Sequence, residues 1–233
     1  MEEFIRIDNL SKCYSQGVMA VDDLSLTLPK GKIIGLLGPN GSGKTTLIKM
    51  MCGILKPTGG NISIDGMPVG EKTKGFVAYL PDCNFLPGRK RIIDIVNYYA
   101  DFYDDFSKEK AGEMLEALQI NPKDRFHTMS KGTKEKVQLV LVMSRSAKLY
   151  VLDEPIAGVD PAARDYILRT IINNYNPEAS VIISTHLISD IESVLDEVVF
   201  IKYGKLNLHA TVDEIRDEKE KSVDAYFREV FAC

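Results

Sequence analysis

"IIGLLGPNGSGKTTLIKMMCG", residues 33–53, decides how this 233-residue chain is read. A short apolar run passes through Gly38, Pro39, Gly41 and Gly43 and resumes with apolar residues at helical spacing, the order of a strand, a turn and a helix. Gly38, Gly43, Lys44 and Thr45 match G-x-x-x-x-G-K-[ST] in that context. In such a turn several backbone N–H groups converge on a chain of phosphates, because glycine accepts positive φ and brings no side chain to clash. The helix start adds the positive end of its dipole. Lys44 adds a formal charge toward the outer phosphates, and the Thr45 hydroxyl can ligate Mg²⁺. A strand before and a helix after favour this reading over a turn that merely caps a helix.

Working outward, other segments divide by period. "FIRIDNL" (4–10), "AVDDLSLTL" (20–28) and "GNISIDG" (60–66) alternate apolar and polar residues, as half-exposed antiparallel strands do. "KIIGLLG" (32–38), "LYVLDEP" (149–155) and "SVIISTH" (180–186) are near-continuous apolar runs ending in polar or glycine residues, which suits central parallel strands with chemistry at their carboxyl ends. Residues 91–145 carry helical periodicity. There "IIDIVNYYADFYDDF" aligns Ile92, Ile95, Val96, Tyr99, Phe102, Tyr103 and Phe106, and the stripe from Tyr98 to Phe106 reads as lobe core. Ser107 is placed to cap the next helix. The expectation is one α/β unit over 1–233, with a helical lobe inserted at about 85–145 and a solvated helical tail at about 211–233.

Composition narrows the class. A hydrophobic share of 45% is enough for a compact core, and the net charge of -4 offers no basic stripe for nucleic acid. Apolar stretches such as "VQLVLVM" (137–143) and "EVVFI" (197–201) are far shorter than the roughly 20 residues of a membrane-spanning helix. Cys13, Cys52, Cys83 and Cys233 form no C-x-x-C pair, and the acidic "MEEFIRIDNL" lacks the basic and apolar regions of a secretory signal. Both point to a cytoplasmic chain with reduced thiols.

"LYVLDEP" supplies the second half of a nucleotide site. Asp153 emerges at the end of a buried strand, where a carboxylate can hold the metal, and Glu154 beside it can accept a proton from, or orient, an attacking water. A solvated Asp-Glu turn before Pro155 is the bland alternative, and the phosphate loop upstream weighs against it.

With these residues in hand, the chain resembles the ATP-binding subunits of ABC transporters from about residue 4 to about residue 210. "GPNGSGKTT" (38–46), with Asn40, Ser42 and Thr46 among its members, resembles the family's phosphate loop. "VLDEP" (151–155) resembles its metal strand with the catalytic glutamate, and "STH" (184–186) its switch histidine, His186. "MSKGTKEK" (129–136) resembles the signature sequence, and "AGVD" (157–160), ending in Asp160, the loop that pairs across a dimer. The resemblance implies a P-loop NTPase core with a mainly parallel sheet, an N-terminal antiparallel β subdomain and an inserted helical subdomain. It also implies two copies facing head to tail, so that ATP lies between one phosphate loop and the partner's Ser130 and Gly132. Those residues would sit at a helix amino end, where hydroxyl, backbone N–H and dipole favour phosphate. Met129, Lys131 and Thr133 depart from the family's commonest L-S-G-G-Q, in a form similar to that of a group of bacterial exporters.

Three further positions follow from the resemblance. Tyr14 in "SKCYSQG" stands where an aromatic stacks on adenine. Asp82 in "VAYLPDCNFLP" stands where the family usually has a glutamine reaching metal and water; as a hard oxygen donor it can still ligate Mg²⁺, with an added negative charge near the γ phosphate. Phe85, Leu86 and Arg89 fall where a short helix of a membrane partner docks. His127 and His209 read as surface or packing residues.

The expected function is Mg-ATP binding and hydrolysis by a dimeric subunit, homodimer or heterodimer. It would work at the inner face of the membrane and drive transport, export by the signature's hint, through a separately encoded transmembrane subunit. Glu154, His186 and Lys44 carry the chemistry. One competing reading is an ABC-type ATPase of a non-membrane machine such as iron–sulfur cluster assembly. The other is a nucleotide-gated module that hydrolyses little, which Glu154 opposes and Asp82 keeps open.

Overall fold

In the computed structural model the described residues are 3–15, 17–157, 161–176 and 178–232. Asp160, Gly158 and Val159 of the expected dimer-pairing loop, and Cys233, lie outside them. The chain begins with β1 (Glu3–Cys13), β2 (Met19–Pro29), β3 (Ile33–Leu37) and α1 (Lys44–Met51). β4 (Gly59–Ile64), β5 (Met67–Pro68), α2 (Glu71–Lys74) and β6 (Val77–Leu80) follow. Three helices come next, α3 (Ile92–Phe102), α4 (Lys108–Ala117) and α5 (Lys131–Met143). The remainder is β7 (Leu149–Asp153), α6 (Pro161–Asn174), β8 (Ser180–Thr185), α7 (Ile188–Ile191), β9 (Glu197–Lys202), β10 (Lys205–Thr211), α8 (Val212–Lys219) and α9 (Val223–Phe231).

These strands make two sheets. The first is antiparallel, in the order β2-β1-β4-β5; the second runs β10-β9-β3-β8-β7-β6 and is parallel throughout except for the β9-β10 hairpin. The continuous apolar runs are explained by burial on both faces. Tyr150, Leu152, Val181, Ile183, Val198 and Phe200 pack toward the helices on one side. Their neighbours Leu149, Val151, Ile182, Val199 and Ile201 pack toward α1 and the antiparallel sheet on the other. The parallel register places the carboxyl ends of β3, β6, β7 and β8 along one edge, where ligands bind in open α/β sheets.

The helices between β6 and β7 are tied to that sheet through Arg145. Its buried guanidinium donates to both carboxylate oxygens of Asp105, at 2.9 and 3.1 Å, and to the carbonyls of Val77 and Gly75. It also lies 3.9 Å from the ring centroid of Tyr103. Ser107 caps α4 by accepting from Lys110 N, as its position in the sequence suggests.

Two expectations need correcting. The stripe from Tyr98 to Phe106 is not uniformly core: Tyr99 and Phe106 pack on the core, whereas Tyr98 and Phe102 are exposed and stack on each other. Both lie within α3, whose buried residues Ile92, Ile95 and Val96 sit in its first half, so the apolar stripe runs on beyond the part of the helix that is buried in the core. The tail is not wholly solvated either. Val223 is buried, and Tyr226, Phe227 and Phe231 of α9 surround Phe200 at ring-centroid distances of 6.1, 5.3 and 5.8 Å.

Candidate active site

The loop between β3 and α1 is shaped by glycines that no other residue could replace. A Cβ on Gly38 would stand 2.4 Å from Ile201 O, and one on Gly43, whose φ is +108°, would stand 2.3 Å from Ala20 O. Lys44 opens the helix inside this loop. Its Nζ donates to the carbonyls of Gly38, at 2.7 Å, and Pro39, at 3.2 Å. Burial pulls the ammonium's pKa down, and Glu154 and Asp153 partly offset this. Ser42 turns the loop by donating its N–H to Pro39 O, and its hydroxyl is buried without a partner. Thr46 on the next turn shares a 3.4 Å hydrogen bond with the hydroxyl of Tyr14, which keeps that half-exposed ring beside the loop.

Opposite lies the end of β7. Asp153 is 1% exposed. Its Oδ1 accepts from Ser184 Oγ at 2.5 Å and from Thr45 Oγ1 at 3.4 Å, while Oδ2 is buried with no partner. Burial raises this carboxyl above the usual range; the Ser184 and Thr45 hydrogen bonds oppose the rise, and the charges of Asp82 and Glu154 add to it. Glu154 takes a left-handed backbone, φ 52°, and its N–H donates to Ser184 O at 3.0 Å. That turn directs the side chain toward His186, whose Nδ1 donates to Glu154 Oε2 at 3.0 Å.

A cleft of about 380 Å³ gathers these groups: Asn40, Asp82, Asp153, Glu154 and His186 line it. The parallel edge therefore brings together most of the residues singled out in the sequence. Ser130 and Gly132 are not among the cleft's lining residues. Ser130 caps α5 through Thr133 N, and a Cβ on Gly132 would meet open space. From the same helix Lys131, Lys134, Glu135 and Gln138 do reach the cleft. Gln138 is buried and accepts from Phe85 N at 3.1 Å, joining α5 to the segment after Asp82.

Sequence reasoning missed Gln138 and Ser184. Gln138 was visible as the one polar residue inside "VQLVLVM"; Ser184 had only its closeness to His186. The other histidines are accounted for without the cleft. His127 Nδ1 contacts Gly88 O at 3.0 Å, and His209 Nε2 donates to the buried Glu197 at 2.8 Å.

Residues 21–157 match the ABC transporter family. Over 224 residues the chain is 30% identical to the SkfA peptide export ATP-binding protein SkfE of Bacillus subtilis (strain 168), covering 94% of this chain and 93% of that protein. It is 34% identical over 227 residues to the lipopolysaccharide export system ATP-binding protein LptB of Escherichia coli (strain K12), covering 92% and 94%. A solved ATP binding subunit of an ABC transporter superposes with a TM-score of 0.86 at 27% identity, covering 97% of this chain and 99% of that one. The chain belongs to the ABC transporter family, as an ATP-binding and ATP-hydrolysing subunit.

Proposed function

We propose that this subunit works as a dimer which binds Mg-ATP, closes on it, hydrolyses it and drives export through a separately encoded transmembrane partner. The observation that carries the reading is the convergence of Asp153, Glu154 and His186 on one cleft, with the Lys44 ammonium in the adjoining loop close enough to feel the charges of both carboxylates. Lys44 neutralises the outer phosphates, exchanging the loop carbonyls for phosphate oxygens. Glu154, steadied by His186, orients the water that attacks the γ phosphate in line and takes its proton. Tyr14 stacks on the adenine. Asn40, Gly41, Ser42 and the backbone up to Thr46 surround the phosphates.

The hydroxyl of Thr45 and the unpartnered Oδ2 of Asp153 form a set of hard oxygen donors suited to Mg²⁺, with the Asp82 carboxylate on the facing wall. When bound, that ion draws charge from the phosphate oxygens. Dimerisation is supported by Ser130 and Gly132, which stand outside this cleft and so would serve the ATP of a second subunit, as would Asp160. A membrane partner is supported by an apolar groove of about 440 Å³ lined by Phe85, Leu86, Pro87, Ile95, Tyr98 and Tyr99, with the exposed Phe102 stacked on Tyr98. Arg89 does not line it. Among the described residues no helix is long and apolar enough to cross a membrane. The partner would hold the chain at the inner face of the membrane. Export follows the two relatives, whose names describe peptide and lipopolysaccharide export.

The test is steady-state ATP hydrolysis with Mg²⁺, beside Glu154→Gln, with sedimentation of both in ATP and co-purification from detergent-solubilised membranes. Expected are hydrolysis lost in the variant, an ATP-stabilised dimer and a membrane protein recovered with the chain. An enzyme that hydrolyses ATP as a persistent monomer, or that is recovered only with non-membrane proteins, would overturn the reading.

A further inference from the structure

Ser184 is fully buried at the end of β8, opposite Asp153 in the parallel register with β7. Its hydroxyl donates to Asp153 Oδ1 at 2.5 Å, and the same oxygen accepts the N–H of Glu154 at 3.3 Å. A serine hydroxyl has one proton to give. Because the peptide N–H of Glu154 occupies the oxygen's acceptor side, that proton is directed at Asp153. Oδ1 is thereby committed, and Oδ2, buried and without a partner, is the oxygen left to face a cation. The same serine also receives the Glu154 N–H at its carbonyl, 3.0 Å away, which helps hold Glu154 in its left-handed turn.

We infer that Ser184 is the positioning residue of this site: it fixes which carboxylate oxygen of Asp153 meets Mg²⁺ and sets the backbone turn that aims Glu154. The inference rests on the proposed Mg-ATP reading. Ser184 touches neither metal nor nucleotide; it acts through Asp153 and Glu154, as an outer partner orients a metal ligand. Thr45 also donates to Asp153 Oδ1, at 3.4 Å, but it is assigned to the cation itself, so Ser184 is the partner that holds the carboxylate throughout.

The experiment measures binding of a fluorescent ATP analogue to the full chain in EDTA and across a Mg²⁺ titration, which gives the metal-free Kd and the Mg²⁺ concentration for half-maximal tightening. Ser184→Ala is expected to leave the EDTA value near wild type and to raise the Mg²⁺ concentration for half-maximal tightening by about 10–100-fold. Ser184→Thr, which restores the hydroxyl, returns it toward wild type. If Ser184→Ala binds no nucleotide in EDTA, Ser184→Cys, similar in shape and a weak donor, is read instead. Loss of metal-free binding in both would assign Ser184 a purely structural role and overturn the inference. An unchanged Mg²⁺ requirement in a variant that folds would overturn it too. The proposed function fails separately, if the wild-type chain itself shows no Mg²⁺-dependent tightening.

Discussion

The Nδ1 of His186 stands 3.0 Å from Oε2 of Glu154, so the imidazole holds the carboxylate from the solvent side while the peptide N–H of Glu154 is held from below by Ser184. Donation from Nδ1 leaves Nε2 as the nitrogen free to face a phosphate or a water. Removing Glu154 deletes the base, whereas removing His186 only loosens it. Glu154→Gln should therefore lower kcat by about 10²–10⁴-fold and His186→Ala by less, with the double variant no worse than Glu154→Gln alone. Single-turnover hydrolysis of the three proteins checks this. Additive losses would mean that the two residues act independently.

Asp153 sets stability against activity. Its folded pKa is raised chiefly by burial, so its contribution to stability is present below the unfolded value and lost as pH rises through the raised one. At neutral pH the ionised carboxylate then works against the nucleotide-free fold. Asp153→Asn should raise the Tm of the nucleotide-free protein at about pH 8, by about 2–4 °C for each kcal/mol, while abolishing Mg²⁺-dependent hydrolysis. The Tm gain should shrink as pH falls toward about 4. Thermal unfolding at both ends of that range decides; a variant less stable than wild type at high pH would contradict the sign.

Much of this was legible in the sequence because local chemistry and tertiary context agree there. The loop from Gly38 to Thr45 needs glycine where a Cβ would stand 2.4 Å or less from a backbone carbonyl, and the buried strands need apolar residues on both faces. What a single sequence does not display is lateral register. Ser184 meets Asp153 only because β7 and β8 pair in parallel, 31 residues apart. The exposure of Tyr98 and Phe102 did not show because the apolar stripe continues past the first half of α3, where Ile92, Ile95 and Val96 are buried, and the aromatic side of α9 was hidden among charges of both signs.

Thiol chemistry separates the cleft from the core. Cys83 is exposed in the cleft wall, while Cys52 is buried at the carboxyl end of α1, and burial, then the charge of Asp153, pushes its pKa up to about 12 from 9.0. Its raised value also means that its contribution to stability holds below pH 9 and is lost as pH climbs toward 12. At about pH 8 a maleimide should modify Cys83 readily and leave Cys52 untouched until the protein unfolds. Mg-ATP, added to Glu154→Gln so that it persists, should slow labelling of Cys83. Peptide mapping reads both sites, and no protection of Cys83 would show that nucleotide does not close this cleft.

Arg145 anchors the three-helix lobe by a buried guanidinium fork that donates to Asp105 and to two backbone carbonyls. Replacing it with methionine keeps the stem but leaves Asp105 without its cation and the carbonyls of Val77 and Gly75 without their donor. Breaking a buried pair from one side costs about 3–5 kcal/mol, so Tm should fall by about 6–20 °C. Lysine should recover little, since a single ammonium cannot reach Asp105 and both carbonyls at once. Asp105→Asn, which keeps an acceptor for the fork and removes only the charge, should cost less than Arg145→Met. Denaturant unfolding of the three variants orders these costs. A loss under about 1 kcal/mol for Arg145→Met would mean that apolar packing alone holds the lobe on the sheet.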